Sequence, residues 1–381
     1  MDLTLNDEQR LLRDSAGQFV TRTYTADFRR QMASEPLGFR ANTWQQFADL
    51  GWLALPIEQR YGGLDAGAIE VGILMEAIGR GLAPEPYVAT VVLGAALVAA
   101  LGREEQKQET LPMVANGTLR LAFAHSERAA RCDLARVDTT ARPTADGWRI
   151  DGDKIAVLDA TAADRLIVSA RVTSGNGKPG PLALFVIPRD ANGMKLDDFA
   201  RLGGGRAANI RFDGVQVTRD ARLGDDTDAL PAIEAVVDRA LAALGAEAVG
   251  MMQVLLDKTL EYTRIRKQFG RPLAANQIVR HRLTDMSIQC DEARSMALRS
   301  ALHADSEAFE RSRAASGAKA KIGKCARFVA EQAVQLHGAM GVTEELEIGL
   351  YFKRLLAFET LFGSTSHHYR RHATLSVAGH A

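Results

Sequence analysis

The chain is short of cysteine, of proline and of net charge, and each shortage narrows what it can be. Its three cysteines, Cys132, Cys290 and Cys325, show neither CxxC nor paired spacing. Neither a disulfide framework nor a zinc site is expected, and a reducing cytoplasm fits. Lys plus Arg and Asp plus Glu both number 47, a formal charge of zero. That removes the cationic surplus needed to grip nucleic-acid phosphates. No basic segment followed by an apolar core opens at Met1, so no signal peptide is expected. The most apolar run, Tyr87 to Gly102, falls short of the roughly 20 residues of a membrane-spanning helix. What remains, 46% hydrophobic and 25% charged residues over 381 positions, is a globular composition long enough for two or three domains.

Three textures follow one another. Residues 1–119 read as helical. Asn6 is a plausible N-cap ahead of Asp7 and Glu8. Trp44, Phe47, Leu50 and Trp52 recur at near-helical spacing up to Pro56, and Glu70 to Gly81 forms another helix closed by Gly81 and Pro84. Residues 120–227 read as strands: 147–152 and 209–217 alternate, while 165–170 and 182–187 are short and β-branched, punctuated by Gly180, Pro188 and Gly193. Residues 228–381 return to long Ala/Leu-rich helices, with almost no proline after Pro231 except Pro272. Such faces allow close helix packing and suit oligomerisation.

Two segments could carry chemistry. Tyr262 to Leu273 (YTRIRKQFGRPL) is a basic cluster ending a helix at a Gly and a Pro. It is either a solvated helix C-terminus, where cations favour the dipole, or an anion grip with Arg266 or Arg271 forked onto a phosphate. Gln335 to Gly341 (QLHGAMG) has two glycines three apart after a helix, which lets a ligand approach the backbone.

Together with Gly51 to Gly63 (GWLALPIEQRYGG), the FDGVQV strand ending at Val217, and Gln277, these segments resemble the acyl-CoA dehydrogenase family over nearly the whole chain. The resemblance implies an α+β protein: an N-terminal helical domain, a middle β-barrel-like domain, and a C-terminal four-helix bundle that builds a tetramer. It implies FAD bound across a subunit boundary, with Arg266, Gln268, Phe269, Gln277, Gln335, Leu336, His337, Gly338, Gly341 and Thr365 at its contact positions. It also implies α,β-desaturation of an acyl-CoA thioester. That chemistry needs a carboxylate over the α carbon, hydrogen bonds to the thioester carbonyl and a dry pocket.

The chain departs from the family where the base should be. Gly363 holds the position of the usual catalytic Glu, and Ala240 the position used by a minority. The loop resembling the family's TEPGAGSD, Ser126 to Asp133, has lost its Pro and both Gly, and Ala156 and Leu158 replace a Trp and a Thr that contact the flavin ring. The adenosine-gripping side is therefore intact and the ring side eroded. This is similar to the smaller chain of heterotetrameric pimeloyl-CoA and steroid side-chain dehydrogenases, which completes a homologous partner's FAD site. Two other readings stand beside it. One is a self-sufficient homotetramer with Asp238 or Glu247 as base, although Asp238 lies about 200° around the helix from Ala240. The other is a flavin-free scaffold.

Remaining features read as structural. Glu359 is treated as a paired acid and His125 as a structural histidine. His368 and His372, at i and i+4, lack a third ligand, and no metal is expected. Gly203 to Gly205 lacks the Lys-Ser/Thr of a phosphate loop and reads as a turn.

Overall fold

A computed structural model describes residues 4–32, 35–173, 179–225, 227–343 and 346–378. The N-terminal part is helical: α1 (Asp7–Thr23), α2 (Ala26–Met32), α3 (Ala41–Asp49), α4 (Ala68–Gly81), α5 (Ala96–Leu101) and α6 (Glu104–Ala115). Asn6 starts α1 with a reciprocal cap. Its side chain accepts from the Gln9 N–H at 2.8 Å, and the Gln9 side chain accepts from the Asn6 N–H at 3.0 Å. The aromatic run expected to continue a helix through Trp52 leaves it after Asp49, where Gly51 turns the chain at φ 74°. The rings still converge: Trp52 lies 4.7 Å from Phe47 and 5.1 Å from Phe19, centroid to centroid, in edge-on contacts that build this core. The apolar run before α5 winds as a π-helix over Val88–Ala95.

The middle part is one curled seven-stranded sheet: β1 (Leu121–Ala124), β2 (Thr140–Pro143), β3 (Gly147–Leu158), β4 (Arg165–Thr173), β5 (Pro179–Pro188), β6 (Met194–Ala200) and β7 (Arg206–Thr218). The spatial order is β1-β4-β2-β3-β7-β6, with β5 on the other edge of β4. β1 and β2 share one edge of β4, both parallel to it. β6 and β5 each pair on one side only, so the barrel-like curl stays open. Strand β1 carries no alternation a sequence reading would catch: it is four buried residues, LAFA.

Helices then return as α7 (Leu230–Ile265), α8 (Gln277–Leu302), α9 (Ala308–His337), α10 (Ile348–Thr360) and α11 (Thr365–Ala378). Helix α7 has 36 residues and could cross a bilayer by length and hydropathy, yet 78% of its most apolar window is buried within the protein. It crosses α4 backbone to backbone. A Cβ on Gly79 would sit 2.0 Å from the Glu247 carbonyl oxygen, and one on Gly250 would sit 2.0 Å from that of Glu76. Only glycine permits this approach.

A buried acid lies beside that crossing. Tyr24 donates its hydroxyl to Glu85 at 2.6 Å, and the other Glu85 carboxylate oxygen has no partner. Burial raises the Glu85 carboxyl from 4.5 to about 7. The folded state thus holds a proton between those values that the unfolded state releases. The associated stability is full below pH 4.5 and is lost as pH rises through 7. Glu85→Gln is therefore expected to gain stability at pH 8, by up to about 3 kcal/mol, and to gain little at pH 4. Denaturant midpoints at the two pH values test this; equal gains at both would remove burial of the charge as the cause.

Candidate cofactor and active site

The basic segment is not a frayed helix end. After α7 it forms a two-residue hairpin in which Lys267 pairs with Pro272 and Gln268 with Arg271. The tip residues Phe269 and Gly270 have φ of 52° and 76°. Such primed turns match the twist of the paired strands, but a non-glycine residue there carries strain of the sort found at ligand clamps. Phe269 is 100% exposed. Arg271 is engaged, donating to the Asn276 side chain at 2.7 Å. Arg266 is exposed, and among the described residues its guanidinium has no acceptor, leaving its fork free for an anion. Gln277 opens α8, whose N-terminal dipole also favours negative charge. Gln268, Gln277 and Gln335 are exposed, and Gly338 leaves α9 at φ 62°, with nothing within 4 Å of where a Cβ would stand. Two sequence-distant segments thus form one donor-rich surface.

Three expected contact residues differ. His337 is buried at 5% exposure, its Nδ1 bonded to the Ala333 carbonyl at 2.8 Å. Gly341 is buried, because a Cβ there would lie 2.8 Å from the Val334 carbonyl oxygen. Thr365 packs against Gly323, twelve residues before Gln335 on α9 and so about 18 Å along its axis. Its Oγ1 is buried without a partner.

A cavity of about 390 Å³ lies between the sheet and the α10–α11 corner. Phe123, His125 and Ile155 to Leu158 line one side, Phe199 to Leu202 another, and Thr360 to Gly363 a third. Ala156 and Leu158 present neither an aromatic wall nor a hydroxyl. The loop below it is held without its lost Pro and Gly. Glu127 accepts from the Asp138 and Thr139 amides, the Thr139 hydroxyl and the fully buried Lys154, at 2.6 to 3.0 Å. Burial lowers Lys154 to about 8, and would raise Glu127 were it not for Lys154, which holds it below the usual carboxylate range. His125 bonds Ser169 through Nδ1 at 2.9 Å and stacks on Phe123. Burial and Lys154 push it down to about 3, so it is a neutral structural ring. At the corner, Gly363 has φ 116°, and a Cβ there would lie 2.7 Å from the His367 ring and 2.8 Å from His368 Nε2. The buried Lys319 donates to the carbonyls of Phe358, Glu359 and Gly363 at 2.6, 3.2 and 3.2 Å. It caps the C-terminus of α10.

The chain matches the acyl-CoA dehydrogenase N-terminal domain over residues 6–118, the middle domain over 122–215 and the C-terminal domain over 232–374. It is 30% identical over 353 residues to the probable acyl-CoA dehydrogenase YngJ of Bacillus subtilis (strain 168), covering 91% of each chain. It belongs to the acyl-CoA dehydrogenase family. It is also similar to the acyl-CoA dehydrogenase FadE12 of Mycobacterium tuberculosis, at 30% identity over 79% of each chain. Among solved structures, a variant of the Tcur3481-Tcur3483 steroid ACAD superposes with a TM-score of 0.88 at 30% identity, covering 99% of both chains. The ChsE4-ChsE5 complex of M. tuberculosis superposes at 0.85 and 25% identity, covering 97% of both chains. Family members are oxidoreductases acting on CH–CH bonds, and homologues bind FAD.

In this acyl-CoA dehydrogenase family member, both base positions lack a carboxylate, and the acids considered in their place are engaged. Asp238 is buried; it accepts from Ser312 at 2.6 Å and Arg371 at 2.7 Å, with Arg311 at 3.7 Å. Glu247, also buried, accepts from Arg354 at 2.9 Å. Glu359 lies 3.7 Å from Arg327. His368 Nε2–H and His372 Nδ1–H donate to the Phe362 and Arg313 carbonyls, both at 2.9 Å, and the described residues form no metal-binding group with them. Gly203 to Gly205 form a turn against Arg354.

Sequence reasoning passed over Lys319 and Glu85. The signal for Lys319 was available: it lies among Ala315, Ser316, Ile322 and Gly323, its own buried helix face, where a lysine must find acceptors. Asp238→Ala would leave Arg371 and Arg311 without their counter-charge and is expected to cost about 3 kcal/mol of stability, read as a lower denaturant midpoint. An unchanged midpoint with abolished turnover would instead mark Asp238 as a base.

Proposed function

We propose that this chain is the base-lacking subunit of an FAD-dependent acyl-CoA dehydrogenase, and that it completes the FAD site of a homologous partner in an α2β2 heterotetramer. The observation that carries this reading is the contrast between its two half-sites. Arg266, Gln268, Gln277, Gln335 and the backbone at Gly338 form an exposed, uncommitted donor set whose chemistry fits a pyrophosphate and adenosine. The cavity at Gly363 has no acid among its lining residues, and Ala156 and Leu158 stand where the resemblance places the Trp and Thr beside the flavin ring. Lys319, which holds Gly363, stands sixteen residues before Gln335 on α9, about 24 Å along the helix. The likeness to chains of the steroid ACAD and of the ChsE4-ChsE5 complex supports the same reading.

Bound at the grip, the partner's FAD supplies the hydride acceptor for α,β-desaturation of an acyl-CoA thioester. This chain's part is to hold it. Arg266 would fork onto pyrophosphate oxygens, the glutamine amides would donate to the remaining polar edges, and Gly338 would let backbone approach. The exposed Ile265, Ile278 and Val342 around the grip, at 69%, 61% and 74%, are apolar area for the partner to bury. Three free thiols fit work in a reducing cytoplasm.

Flavin absorbance per chain tests this. Little flavin is expected in the chain purified alone, and about half a flavin per chain once it is co-expressed with a homologous acyl-CoA dehydrogenase chain that carries the catalytic Glu. Arg266→Ala is expected to weaken FAD retention in that complex by at least about tenfold, the size of one charge-assisted hydrogen bond. One flavin per chain in the protein alone, bleached by an acyl-CoA, would overturn the reading.

A further inference from the structure

The two segments of the grip follow the C-terminal ends of α7 and α9, and an aromatic stack joins them. Tyr262, in the last turn of α7, stacks on His337, the last residue of α9, with ring centroids 4.4 Å apart and planes 25° from parallel. Each ring is tied to the segment it must place. The Tyr262 carbonyl accepts from the Arg266 N–H at 2.8 Å, and the Arg266 carbonyl accepts from Leu273 at 2.9 Å, which closes the hairpin base. On the other side, the His337 Nδ1–H donates to Ala333 at 2.8 Å, fixing the ring over the final turn of α9, and the next residue is Gly338. The Tyr262 hydroxyl reaches the His337 carbonyl at 3.5 Å. Burial lowers the His337 pKa, so the ring is a neutral plate suited to stacking.

We infer that Tyr262 and His337 are positioning residues for the cofactor grip: their stack sets the distance and angle between the Arg266 hairpin and the Gln335–Gly338 turn. Neither ring is a ligand contact, since His337 is buried and Tyr262 half-buried beneath the surface that carries the donors. A grip made of two segments binds tightly only when both are in register beforehand, because ordering them on binding would cost affinity. The inference rests on the grip reading above and adds the device that holds it in shape.

The test uses the FAD-loaded complex of this chain with its partner, at a temperature well below its unfolding midpoint. FAD dissociation is measured by dilution or dialysis, alongside that midpoint. Tyr262→Ala and His337→Ala are each expected to speed FAD loss and raise the FAD dissociation constant five- to tenfold, about the size of one aromatic stacking contact. Tyr262→Phe, which keeps the ring and loses only the long hydroxyl contact, is expected to retain FAD as the parent does. Arg266→Ala serves as the control. If Arg266→Ala sheds FAD while Tyr262→Ala and His337→Ala hold it, the stack is not a positioning device and this inference fails. If Arg266→Ala also holds FAD, the grip reading itself has failed. A Tyr262→Phe variant as defective as Tyr262→Ala would also overturn the inference, by assigning the effect to the hydroxyl.

Discussion

The structure depends on the crossing of α4 and α7. At Gly79 and Gly250 the two backbones touch, with no side chain between them. A helix held this closely cannot slide or rotate, and close packing carries that constraint along its length. It fixes Glu247 where Arg354 meets it, and Arg354 in turn donates to Gly204, tying the sheet's 201–205 turn to α10. It also fixes the direction in which α7 ends. Arg266 emerges twenty-six residues beyond Ala240, about 39 Å along the axis. One rod thus runs from the family's alternative base position to the cofactor grip.

Around that rod, the chain spends its buried charges on architecture. Asp238 gathers Arg371, Arg311 and Ser312 and so joins α7, α9 and α11. Lys154 and Glu127 hold the loop over the cavity, and Lys319 holds the α10–α11 corner. A carboxylate that serves as a general base must be able to take up a proton near its substrate. Asp238 and Glu247 are instead occupied by arginine and serine donors inside the fold. The corner adds a steric reason: the space a side chain at Gly363 would enter is held by two histidine rings. The glycine at 363 thus goes with the close packing of this corner.

The grip shows the opposite economy. Its donors are exposed and unpaired, Phe269 stands in solvent, and the hairpin tip adopts backbone angles that a phenylalanine takes at some cost. On the reading proposed above, they are one half of a binding site whose other half a partner chain supplies. The Tyr262–His337 stack keeps that half in shape.

How much of this the sequence determined follows from the range of each interaction. Local rules were enough for the capped start of α1, for α4, for the alternating strands and for the three-part α–β–α order, because caps, turns and periodicity act over a few residues. The grip segments and the missing acids at Gly363 and Ala240 were also legible, since residue type in a motif survives translation into space. The sequence could not tell Arg266 from Arg271; the hairpin register and Asn276 decided that. It placed His337 and Gly341 among the contacts, and the fold buries both. It left Asp238 and Glu247 open as bases, and the arginines that hydrogen-bond them, Arg371 and Arg354, come from 133 and 107 residues away. Those decisions belong to the tertiary structure because a side chain's charge, exposure and partner are set by whichever distant segment packs against it.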